Sequence, residues 1–190
     1  MNLNEKLFRS KIEDLDEFYD FIKQLKTSPN MEDRNLINRI YFWDYKHQIG
    51  IPGASILHGH KKHILTLEDW QLLLDNLNKP ELYVEAKSGK AFTGTNYLLK
   101  YNIDWDYYGL GICDTKEGYL ITTLFKDDEN SIDNWLEGNG KTPPKMPTVM
   151  DIPGFSLSEG FHNIIINDKK KNVNLSIKDL NEVLQKYIEE

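Results

Sequence analysis

Three of the chain's five histidines, His58, His60 and His63, fall in the six-residue stretch "HGHKKH", with Lys61 and Lys62 between them. Imidazoles at this density suit two chemistries. A zinc site uses histidine pairs. His58 and His60 share a face if the segment is extended, and His60 and His63 if it is helical. The cluster holds no carboxylate or cysteine, so the remaining ligands must come from afar, from His47, His162 or Asp114, and the spacing matches no zinc motif. The other chemistry is cleavage of RNA by its own 2′-hydroxyl. A base takes the 2′-hydroxyl proton, an acid protonates the leaving oxygen, and donors steady the charged phosphorus centre. Histidine titrates near neutrality and serves as acid or base. Adjacent lysines give positive charge to a phosphate. Thr122 and Thr123 in "LITTLF" offer hydroxyls; on a regular strand only one of them faces a cleft, and the sequence leaves open which. The plain alternative is a solvated polar loop beside ordinary strand residues.

On this reading His63, His60, Lys62 and one of Thr122 and Thr123 are candidates for the catalytic set, and the residues alone leave open which histidine carries the chemistry. Lys61, His58 and Tyr108 are the candidate substrate-binding residues, and no cofactor or metal is required. Tyr108 belongs to "YNIDWDYYGLG", where Tyr101, Trp105, Tyr107 and Tyr108 fall within eight residues. Such aromatics stack on unpaired bases, but they are more often core and rim residues of a sheet. Asp104 and Asp106 repel phosphate there.

The bulk composition sets bounds. The 190 residues carry a net charge of −7, with 39% hydrophobic and 12% aromatic residues. That supports a folded core and argues against non-specific coating of DNA or RNA, which calls for a basic protein. A local basic pocket remains compatible with it. Cys113, the single cysteine, allows no internal disulfide and reads as a buried strand residue. No basic-then-apolar leader opens the chain and no apolar stretch approaches 18 residues. The expectation is a cytoplasmic protein with no membrane partner.

The elements that must position these residues follow from periodicity. Ile12, Leu15, Tyr19, Ile22 and Leu25 predict a helix over 10–26, with Ser10 and Glu13 as a capping box. Ser28 and Pro29 predict a second helix ending near Tyr45, so the two make a helical hairpin. "GIPGAS" then breaks the pattern. Thr66 caps a helix running to about Leu77. "ELYVEA" (81–86), "AFTGTNYLLKY", "YYGLGICD" and "GYLITTLFK" read as strands, the last two joined by a hairpin. "ENSIDNWLEG" reads as a short helix. Residues 138–154 hold four of the seven prolines and form an irregular connection. "FHNIIIND" is one more strand, and a C-terminal helix capped by Ser176 closes the chain. The fold class is α+β: a helical hairpin, a helix with a mostly antiparallel sheet of four to five strands, then a strand and helix. The expected organisation is a helical segment 1–55, an α+β core 56–138, and a region 139–190 that packs on the core.

The order of motifs over about residues 56–135 resembles the phage-associated branch of the barnase–EndoU–colicin–RelE-like nucleases. The motifs are the basic–histidine run "KKH", the helix and turn "TLEDWQLLLDNLNKPELYVE", the two strands "YYGLGICDTKEGYLITTLF" with a threonine pair, and "KDDENSIDNWLEG" with its tryptophan. The resemblance implies a nuclease-like fold in which His63 is the catalytic histidine, Lys62 its cationic neighbour, and Thr122 or Thr123 the phosphate-facing hydroxyl. The acidic charge and the extra His58 and His60 depart from the pattern.

The expected function is a metal-independent endoribonuclease, toxin- or phage-related, with RNA as substrate. The alternative is an acidic binding protein, such as an immunity protein that captures a basic nuclease toxin, whose partner is then a protein. The net charge of −7, the acidic run "KDDENSIDNWLEG" (126–138) and the small size motivate it. A third reading is a phage accessory protein whose nuclease-like fold has lost its chemistry.

Overall fold

The computed structural model describes residues 7–87, 94–116 and 118–147, together with the backbone of 174–175. The expected strand "FHNIIIND" and the C-terminal helix lie outside these residues.

The fold is α+β, with five helices and a mixed, mostly antiparallel sheet. The chain order is β1 (Phe8–Ser10), α1 (Leu15–Thr27), α2 (Met31–Leu36), β2 (Ile40–Asp44), β3 (Ile49–Pro52), α3 (Gly53–His63), α4 (Leu67–Asp75), β4 (Leu82–Glu85), β5 (Thr95–Ile103), β6 (Asp106–Thr115), β7 (Gly118–Asp127) and α5 (Glu129–Asn139). A two-residue strand β8 (Asn174–Leu175) lies beside β1. The order across the sheet is β4-β5-β6-β7-β3-β2-β1-β8. β4 to β7 form an antiparallel meander, β3 runs parallel to β7, and β1 runs parallel to β2.

The expected helical hairpin is not present, and the sheet is larger than four or five strands. Ser10 ends a strand, and α1 starts later, where the Asp14 carboxylate accepts the backbone N–H of Glu17. The second helix lasts six residues from its Asn30 cap. The reason lies in "IYFW" (40–43). Leu36, Ile37, Ile40 and Tyr41 fit a helical stripe, but the four consecutive apolar residues 40–43 are all buried, so both faces of the segment are covered. That is the signature of an internal strand, which short apolar runs share with buried helices in sequence. β3 pairs with it in antiparallel register, Tyr41 opposite Pro52. The "GIPGAS" expected to be a break is therefore a strand leading directly into a helix. From β4 to α5, by contrast, the expected elements are present. The α4 cap is a full capping box, with Thr66 Oγ1 accepting from Asp69 N at 3.1 Å and Asp69 Oδ2 accepting from Thr66 N at 2.8 Å.

The sheet has two unlike faces. One is covered by α1, α3 and α4 through a large core that includes Phe18, Ile22, Ile56, Trp70, Leu110 and Ile121. The other carries two smaller clusters. Val84, Leu98, Ile132 and Leu136 join α5 to β4 and β5. Tyr41, Trp43 and Leu120 form the second.

The β5–β6 hairpin turns through Asp104 and Trp105, both at positive φ (51° and 71°). Two-residue hairpin turns of this kind favour Asn-Gly or Asp-Gly. Trp105 is 92% exposed there, so its ring returns no burial for the backbone cost. Trp105→Gly is expected to raise stability by about 0.5–1 kcal/mol, the left-handed cost of an L residue less the larger entropy that a glycine loses. Urea unfolding checks this, and a lower midpoint would show that the ring packs in the folded chain.

Candidate functional site

The site begins where two strands part. β3 pairs with β7 only at Ile49–Tyr119 and Gly50–Leu120, and then turns into α3. α3 lies along the β7 edge that this leaves. Ser55 Oγ donates to the Ile121 carbonyl at 3.1 Å and stands 3.5 Å from that of Thr122. Gly59 makes room for the core rather than for the strand: a Cβ there would lie 2.9 Å from the Leu65 side chain and 3.3 Å from the Trp70 ring, while its 3.7 Å to the Leu124 carbonyl of β7 is ordinary contact.

β7 itself is bulged. Gly111 pairs with Thr123 while Ile112 pairs with Ile121, which leaves Thr122 as the extra residue. Ile121 and Leu124 both enter the large core, so the two threonines between them share the opposite face. Gly111 makes the room: a Cβ at that position would stand 2.7 Å from Thr122 Oγ1 and 2.9 Å from Thr123 Cγ2. The choice between Thr122 and Thr123 that strand alternation demands does not arise, because the bulge brings both to one cleft.

That cleft, about 430 Å³, is lined by Asn38, Pro52, Ala54, Ser55, His58, Thr122 and Thr123. It sits between the two small clusters of the second face, since Leu120 belongs to one and Phe125 packs on the other. His58 supplies the imidazole that lines it. His63 stands next, its ring edge-on to that of His58 with centroids 5.4 Å apart. On its other side His63 meets Phe125 at 5.6 Å. Burial, then the neighbouring His58, then the Lys62 charge push the His63 pKa below the usual histidine value, and Asp127 pulls it back up.

His60 is turned away. Its Nδ1 is 3.1 Å from the Leu65 carbonyl, and its ring packs edge-on to Tyr19 at 5.6 Å. This departs from the simple helical expectation that His60 and His63 share a face. Lys61 and Lys62 are exposed on the last turn of α3, with no hydrogen bond or ion pair among the described residues. Tyr108 is 1% exposed. Its hydroxyl donates to Asp69 Oδ1 at 2.8 Å, and burial and that carboxylate both raise its pKa. The structure does not bring it to the cleft; it holds the place of a core residue, as does Tyr101, whose hydroxyl donates to the Leu77 carbonyl at 2.9 Å.

The distant residues weighed as metal ligands do not join the cluster. His47 Nδ1 lies 2.5 Å from Asp44 Oδ2 at the β2–β3 turn, and Asp114 is on β6 beside Cys113. His162 is outside the described residues. Among the described residues, no three His, Cys, Asp or Glu side chains converge as a metal site. No described helix is long and apolar enough to cross a membrane.

Sequence reasoning missed Asn38, Pro52, Ala54 and Ser55 of the cleft lining, and it missed two glycines of β6, Gly109 and Gly111. Both place an absent side chain on the face that carries the cleft. Phe125 lies across Gly109, where a Cβ would meet the ring at 2.4 Å. Two glycines spaced by two in a strand are a legible signal of close approach on one face. No protein-family model, curated protein or solved structure matches the chain.

Titration of the histidine ring protons by NMR checks the electrostatics. The His63 midpoint is expected below the ordinary value of 6.5. It should rise only partway in His58→Gln, because burial is the larger cause, and fall further in Asp127→Asn. The folded pKa is depressed, so the stability linked to this group is complete above the unfolded pKa and is lost as pH falls through the folded one. A His63 midpoint at or above 6.5 would contradict the arrangement.

Proposed function

We propose that the chain is a metal-independent endoribonuclease whose acid–base pair is His58 and His63. The observation that carries this reading is the single cleft holding an imidazole and two bulge hydroxyls, with a second imidazole in ring contact behind the first. The role proposed for His63 follows from electrostatics, and His58 takes the other. His63, held neutral to lower pH than an ordinary histidine, is the base that takes the 2′-hydroxyl proton. The 2′-oxygen attacks phosphorus, and His58 gives its proton to the departing 5′-oxygen. The products are a 2′,3′-cyclic phosphate and a free 5′-hydroxyl. Thr122 and Thr123 donate to the non-bridging oxygens, and Lys61 and Lys62 lend positive field. Ser55 is spent on the β7 carbonyl and holds the helix to the strand. The resemblance of the motif order to the barnase–EndoU–colicin–RelE-like nucleases supports this reading for His63, Lys62 and the threonines, and His58 is added to the residues it implies.

A second reading, an acidic protein-binding module, draws on Trp105. It is a large exposed aromatic at a strained turn, flanked by Asp104 and Asp106, and such residues often serve as interface anchors. Its partner would be a basic protein such as a nuclease toxin. Ready expression of the chain alone, without toxicity, favours that reading.

Incubation with single-stranded and structured RNA in excess chelator tests the first. Cleavage is expected to persist in chelator and to leave 2′,3′-cyclic phosphate ends. His58→Ala and His63→Ala should each slow it by about a hundred- to ten-thousandfold, the range for a positioned acid or base. Joint replacement of Thr122 and Thr123 by Val should cost about a hundredfold or more. Activity that vanishes with chelator, or that survives His63→Ala, would overturn the proposal.

A further inference from the structure

A row of rings leads out of the cleft and across the second face of the sheet. His58 meets His63 at 5.4 Å, His63 meets Phe125 at 5.6 Å, and Phe125 meets Trp135 of α5 at 4.8 Å, edge to face. His63, Phe125 and Trp135 are each partly exposed. We propose that Phe125 and Trp135 form a stacking shelf for one unpaired base of an RNA strand whose neighbouring phosphate occupies the cleft.

This rests on the phosphodiester reading of the cleft and adds the form of the substrate: single-stranded RNA, gripped by the face of a base rather than by its pairing edge. Aromatic side chains next to a backbone site serve this purpose because every base has a π-face. In the aromatic run at 101–108, Tyr101 and Tyr108 are core residues, and Tyr107, which packs on the same cluster as Phe125 and Trp135, has its ring against the Lys100 ammonium.

The charges on α5 fit. This helix is acidic, but two of its three carboxylates, Glu129 and Asp133, are held by Lys100, and the third, Glu137, is exposed two residues from Trp135 and off its stripe. Glu129 and Asp133 lie 2.9 and 2.7 Å from Lys100 Nζ, whose side chain is only 3% exposed beneath the helix. Asp128 caps the helix, accepting from Ser131 N at 2.9 Å. The positions one helical turn from Trp135 are Ser131, Ile132, Gly138 and Asn139, all uncharged. A base can therefore approach Trp135 without meeting a carboxylate on the same helical stripe; the carboxylate beside the middle of the row is Asp127, which acts on His63. The lysines that attract phosphate, Lys61 and Lys62, lie at the other end of the row. Base and phosphate are thus assigned to opposite ends of one track.

The test uses fluorescein-labelled hexamers of 2′-O-methyl adenosine and 2′-O-methyl uridine, which have no free 2′-hydroxyl to react, and a matching abasic strand. Binding is read by anisotropy. The adenosine hexamer should bind more tightly than the uridine one, and the abasic strand most weakly. Trp135→Leu keeps an apolar filler but removes the ring; it should weaken adenosine binding by about five- to a hundredfold, the range for one stacked base. Trp135→Phe should retain most of the affinity, and Trp135→Leu should leave abasic binding unchanged. If the tryptophan variants do not fold, the adenosine-to-abasic ratio on the wild-type chain decides alone.

Equal binding of abasic and adenosine strands, no binding of either, or indifference to Trp135→Leu in the folded protein would each overturn the shelf. Cleavage of RNA together with such indifference would leave the catalytic reading standing and remove only the shelf. Ring-dependent binding with no cleavage of any RNA would do the reverse.

Discussion

The bare edge of β7 beyond Leu120 is the constraint around which the candidate site is built. A strand edge must have its backbone groups satisfied or covered. β3 does this for two residues and then leaves. α3 takes over, with the Ser55 hydroxyl on a strand carbonyl. Because a helix rather than a strand covers this edge, side chains from the helix project beside those of β7. His58 and His63 reach the strand in this way. A continued β3 would present its own residues there, and the histidines would lie elsewhere.

The two faces of the sheet divide the work. The large core on the α1, α3 and α4 side fixes the scaffold. On the other face, coverage is split between the α5 cluster and the Trp43 cluster. The cleft occupies the gap between them, and the bulge turns two successive threonines into it. Gly109 and Gly111 on β6 leave the room that Phe125 and the two threonines occupy. The same arrangement sets the electrostatics. His63 is partly desolvated and has another imidazole and Lys62 as neighbours, all of which oppose its protonation. The protein's overall negative charge does not dictate the charge at this end of α3, where Lys61 and Lys62 lie exposed.

The sequence was most legible where local signals and tertiary demands agree. The Thr66 cap, the strands around "TKEG" and the α5 helix follow from capping, alternation and turn residues. The region 28–63 was not legible, because its information is tertiary. "IYFW" has no clear period, since both of its faces are buried. "GIPGASILHGHKKH" has poor helix propensity, and α3 has no side-chain cap at its start; packing against β7 makes it a helix. The histidine cluster was found by composition alone. Which histidine lines the cleft depends on rotation about a helix whose existence was not predicted. A bulge cannot be read from "LITTLF" by alternation, which is why the sequence allowed only one of the two threonines into a cleft.

Imidazole ¹⁵N and backbone amide NMR during titration with a 3′-nucleotide tests the central claim most directly, since it reports phosphate binding without requiring turnover. The account predicts that the ring nitrogens of His58 and His63 and the amides of Thr122 and Thr123 shift together along one saturation curve, while those of His60 and His47 stay still. Shifts confined to other regions, or histidine shifts with the threonine amides unmoved, would contradict it.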